Sequence, residues 1–86
     1  MDPPVLTAKL ASLAEHLGIS VRFVRMEEGR GGIFALRGRQ EILVNDCLPE
    51  WEKADVLAEI LATFDLGNIY LLPGVREAIE RYRPRR

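Results

Sequence analysis

The chain has 86 residues, 48% of them hydrophobic, with 12 basic and 13 acidic side chains and a net charge of −1. That length leaves room for a single domain spanning residues 1–86, and that hydrophobic share excludes an intrinsically disordered chain. The near balance of charge argues against a dedicated nucleic-acid or membrane-surface binder.

A first helix is expected from Pro4 to Leu17, because Leu6, Leu10, Leu13 and Leu17 fall on one stripe of a 3.6-residue repeat. Proline is tolerated in its first turn and Gly18 suits its close. The stretch "ISVRFVRM" (19–26) sets Ile19, Val21 and Phe23 against Ser20, Arg22 and Val24, a strand alternation. "EEGRGG" breaks it. "IFALR" (33–37) and "EILVN" (41–45) read as two more strands, with a tight turn at Gly38. Glycine in both connections reads as two hairpins, hence a three-stranded antiparallel meander. A second helix is expected from Pro49 to Asp65, with Glu50 and Glu52 at the positive end of its dipole and Gly67 as its stop. "NIYLL" reads as a short extended linker ahead of Pro73. A last helix should run from Pro73 to about Arg83, with Val75, Ala78, Ile79 and Tyr82 on one face. The order α-β-β-β-α-α predicts an α+β domain with its helices packed on one sheet face.

Catalytic and metal-binding sets are thin. Cys47 is the only cysteine and His16 the only histidine, so no zinc site, metal or other cofactor is expected. His16 reads as an exposed helix residue, with Ser12 one turn away, and Cys47 as a small half-buried one. "GRGG" (29–32) precedes a strand and lacks the lysine and hydroxyl of a phosphate loop. It reads as a hairpin turn whose Arg30 is free to contact an anion. A lone thiol, no apolar run of about 18 residues and no leader pattern at "MDPP" predict a soluble cytoplasmic protein with no membrane partner.

Charge divides by segment. Residues 22–39 hold five arginines and two glutamates (+3), 46–65 six acids and one lysine (−5), and 76–86 five arginines and two glutamates (+3). The "RYRPRR" tail is basic, as suits a solvated C-terminus. Double-stranded-RNA-binding domains share the α-β-β-β-α order and place lysines at the start of the last helix. Here Glu50, Glu52 and Asp55 stand there and would repel phosphate, so nucleic acid is not an expected partner.

Helix 49–65 carries Ala54, Leu57, Ile60, Leu61 and Phe64 on one face and Glu52, Asp55 and Glu59 on the opposite one. A third stripe, Trp51, Ala58 and Ala62, forms a shelf that another helix can approach. The last helix of the same chain, through Val75, Ile79 and Tyr82, is the expected occupant, with a second subunit as the alternative. Val24 and Met26 offer apolar surface on the sheet side that the helices leave bare.

The segment "EILVNDCLPEWEKADVLAEILATF" (41–64) resembles the core of minimal zincin-like metallopeptidases, in which a helix and small sheet precede a helix carrying H-E-x-x-H. The resemblance spans roughly residues 19–64. It sets Ala58 and Ala62 at the histidine positions and Glu59 at the general base. Alanine cannot coordinate a metal, so the resemblance implies loss of zinc and of peptidase activity. The expected function is a non-catalytic protein–protein interaction module or homodimer, whose partner is another protein or a second copy. The alternative is a degenerate zincin-like domain, or a small-ligand or anion-binding enzyme using Glu59, Asp55 and sheet arginines.

Overall fold

The computed structural model describes residues 1–84, so Arg85 and Arg86 of the basic tail lie outside the described residues. The chain runs α1 (Pro3–His16), β1 (Ser20–Val24), β2 (Gly31–Leu36), β3 (Arg39–Asn45), α2 (Glu50–Leu61) and α3 (Pro73–Glu80). The expected α+β order is present. Pro3 and Pro4 occupy the first turn of α1, where a missing N–H costs nothing. α2 and α3 are shorter than periodicity suggests. The Ala62 N–H makes the last four-residue bond, to Ala58, and Thr63 and Phe64 bond back only three residues, to Ile60 and Leu61, so α2 closes after Leu61. Beyond α3, an Arg83 guanidinium N–H donates to the Phe64 carbonyl oxygen at 3.0 Å and ties the end of the described chain to the turn after α2.

The sheet departs from a meander. Its order is β1-β3-β2, with β2 antiparallel to β3 and β1 parallel to it. Among the described residues only Arg37-Gly38 makes a hairpin, and both residues have positive φ (53° and 78°), as a two-residue type I′ turn requires. The 25–30 connection is not a hairpin turn, because β1 and β2 are not neighbours. It crosses the end of β3 instead.

One side chain holds that crossing. Asn45, the last residue of β3, is 4% exposed. Its Oδ1 accepts from the backbone N–H groups of Met26 (3.2 Å) and Cys47 (3.0 Å), and its Nδ2 donates to the Gly29 carbonyl oxygen (2.7 Å). Its own N–H donates to the Arg30 carbonyl, and the next N–H, of Asp46, donates to Val24 on the other side. The end of β3 thus bonds to both outer strands at once. Gly31 makes the close approach possible: at φ +118° its missing Cβ would run into the Leu43 carbonyl oxygen.

The core lies between the sheet and the helices. In register, Val21, Ile42 and Ile33 share the inner face, joined by Val44. Ile42 and Val44 are fully buried with Leu10, Leu57, Leu61 and Ile79. α1 meets α2 along Thr7, Leu10 and Ala14, and the Thr7 hydroxyl donates to the Glu50 carbonyl at 3.3 Å. α2 is the central helix: Ala54, Val56, Leu57, Ala58 and Leu61 are all buried.

Truncating Asn45 leaves two N–H groups and a carbonyl without their partner. Asn45→Ala should therefore cost about 2–4 kcal/mol in urea denaturation. Asn45→Asp should not rescue it, since a charged oxygen would then face the Gly29 carbonyl oxygen.

Candidate functional site

Two surfaces gather the side chains that carry chemistry or exposed apolar area. The first is an ionic cluster on the acidic side of α2. The 25–30 crossing, fixed by Asn45, places Arg30 over that side. Its Nη1 reaches Glu59 Oε1 at 3.0 Å and its Nε reaches Glu52 Oε2 at 3.4 Å. The hydrogen bond that Arg30 donates to the Glu59 carboxylate raises an already high guanidinium pKa, so Arg30 stays charged. Tyr82, just past α3, lies beside Asp55, and partial burial followed by that carboxylate pushes its phenol above the ordinary tyrosine value.

Glu59 is therefore a surface helix residue with a specific partner. Arg30, the candidate anion contact, already has two carboxylates of its own chain, so it presents little free positive charge. Among the described residues, no three His, Cys, Asp or Glu side chains are grouped to hold a metal ion. His16 and Cys47 are both exposed, Cys47 more so than its expected half-buried place.

At the other end of the crossing sits Lys53, which composition alone marks only as a lone cation among acids. It is 9% exposed, and its ammonium meets Asp46 Oδ1 at 3.0 Å and Glu50 Oε1 at 3.2 Å. The hydrogen bond to Asp46 comes first among the causes that raise its pKa, partly offset by burial, with Glu50 adding to it. The pair joins the start of α2 to the chain leaving β3.

The second surface is the outer face of the sheet. α1 and α2 pack on the inner face, with α3 resting on the two helices, and the outer face carries Val24, Leu43, Phe34 and Leu36 around an Arg22–Glu41 ion pair at 3.5 Å. Val24 and Leu43 are half-buried, whereas Phe34 and Leu36 are 52% and 61% exposed. Their two-residue spacing in "IFALR" was the available signal, but only the strand order shows which face it belongs to. Met26 is half-buried beyond β1, where its backbone is held by Asn45.

Trp51, Ala58 and Ala62 do not form one patch. Ala58 is 1% exposed, within the same core as Val75, Ala78 and Ile79 of α3. α3 packs against α2 within the chain. Ala62 is half-buried, and Trp51 remains 60% exposed above a depression shared with Leu6, Ala54 and Ala78. Among the described residues, no helix is long and apolar enough to cross a membrane. Comparison with protein-family models, curated proteins and solved structures finds no match.

Half-exposed ion pairs stabilise weakly, so Arg30→Ala and Glu59→Ala should each lower unfolding free energy by at most about 1 kcal/mol. Lys53 behaves differently with pH. Its folded-state pKa is raised from 10.5, so its contribution is complete below that value and is lost as pH rises through the folded one. The melting-temperature gap between the wild type and Lys53→Met should hold steady to about pH 10 and narrow above it.

Proposed function

We propose that this protein is a non-catalytic protein–protein interaction module that associates with a second copy of itself. The observation that carries this reading is the uncovered sheet face, with Phe34 and Leu36 more than half exposed on the edge strand β2. Large apolar side chains grouped on an open sheet mark an association surface more often than an inert one. The segregated charge supports it too: Glu52 and Glu59 are turned onto Arg30, which leaves the acidic side of α2 partly neutralised within the chain.

On this reading the likeness of residues 41–64 to a zincin-like core is one of scaffold. Ala58 and Ala62 offer no atom to a metal, and Glu59 serves Arg30. The exposed thiol of Cys47 suits a reducing compartment, in keeping with a cytoplasmic location.

Native mass spectrometry of protein purified from zinc-replete cells without a chelation step reports oligomer mass and bound ligand together. The expected result is a metal-free dimer. A stoichiometric metal or small molecule would contradict the proposal and favour chemistry at Glu59, Asp55 and Arg30.

A further inference from the structure

Both outer strands expose an edge, and they differ in what they carry within it. β1 has Arg22 inside the strand. β2, "GGIFAL", carries no charge and no proline over its whole length, with its arginines, Arg30 and Arg37, only at the two flanks. Natural sheets protect free edges with such residues, and an apolar edge without them is a template for another strand.

The register fixes which backbone groups are free. Arg30 accepts from the Asn45 N–H, and Leu36 and Arg39 close the two-residue turn. Hydrogen-bonded pairs alternate along an antiparallel ladder, so Gly32, Phe34 and Leu36 bond inward to β3. Gly31, Ile33 and Ala35 turn their N–H and carbonyl groups toward the open edge.

We infer that β2 pairs antiparallel with β2 of a second copy, with Ile33 opposite Ile33 on the two-fold axis, joining the two sheets into one. This rests on the self-association reading above and names its surface. Three features select the occupant and the register. Centred on Ile33, the free groups of Gly31 and Ala35 face each other, so each pair exchanges both of its hydrogen bonds. Phe34 then lies opposite Gly32, which has no side chain to oppose the ring. Within one chain the Phe34 ring already leans over Gly32, 3.6 Å from where a Cβ would stand. Finally, Arg30 falls opposite Leu36 and Arg37 opposite Gly29, so no like charges meet across the axis. Centring on Ala35 instead would set Arg37 opposite Ile33 and shorten the paired run. Phe34 and Leu36 of both copies would then form one continuous apolar strip on the outer face.

Sedimentation velocity at roughly 100 μM, where even a small interface is populated, reads the association. The wild type should sediment as a dimer. Ala35→Pro removes an edge-facing N–H without touching the β2–β3 ladder, and Phe34→Lys adds the missing guard. Both should sediment as monomers with unchanged circular dichroism, and Trp51→Ser should remain dimeric. Register is read by cross-linking in a Cys47→Ser background. Ile33→Cys should oxidise to a covalent dimer, since paired Cα atoms lie about 5.5 Å apart. Leu36→Cys should not, because its two copies would lie roughly 20 Å apart at about 3.4 Å per residue. A dimer that survives both Ala35→Pro and Phe34→Lys would overturn the β2 edge while leaving self-association standing. A wild type that stays monomeric would overturn both. If Ala35→Pro fails to fold, Phe34→Lys and the cross-link pair decide the matter.

Discussion

The side-chain amide of Asn45 is the interaction on which the rest of the structure depends. A loop that crosses the end of a sheet has backbone groups with no ladder to join, and burying them unpaired costs about 1–3 kcal/mol each. Asn is suited to this place because its short amide carries both a donor and two acceptor lone pairs. Here it takes two N–H groups and gives one to a carbonyl, on either side of the crossing. Among the described residues, no buried side-chain polar atom is left without a partner. The consequences reach outward: β3 becomes the central strand, Arg30 is brought over α2, and β2 is left as an edge.

The helices were legible because their signal is local. Leu10 and Ala14, or Leu57 and Leu61, are spaced so that only a helix puts them on one side, and the core uses them so. What local pattern could not give was the burial of Val56, which lies off the apolar stripe of α2 and becomes buried because the helix is central, bounded by α1, α3 and the sheet. Lys53 lies within the stripe, and the long-range partner that lets a charge sit there, Asp46, leaves no periodic signal. Strand existence was legible from alternation, but strand order was not. Glycine in a connection says that the chain turns, and both "GRGG" and the turn at Gly38 contain it. Only the second is a hairpin. The difference lies in Asn45, which acts across the gap between residues 26 and 47, and such long-range bonding leaves no periodic trace.

The candidate chemistry followed the same division. The acidic side of α2 was visible from the spacing of Glu52, Asp55 and Glu59, but the partner of Glu59 depended on where the crossing set Arg30. With that partner known, a charge at the margin of an apolar helix becomes part of a tie between loop and helix. Trp51, Ala58 and Ala62 share a stripe by spacing but differ in burial: Ala58 is in the core and Trp51 is left outside. The largest exposed apolar pair of the sheet, Phe34 and Leu36, needed the strand order to be placed. Phe34 and Leu36 stay exposed because no helix packs on the outer face, and β2 stays an edge because β3 is central.

Amide hydrogen exchange shows most directly whether Asn45 locks the crossing. Met26 and Cys47 both lie outside regular structure, where amides ordinarily exchange through local opening. If Asn45 holds them, their exchange should be as slow as that of Leu43 and Val44 within β3, released only by global unfolding. Fast exchange at Met26 and Cys47, at rates like those of other loop amides, would contradict the account.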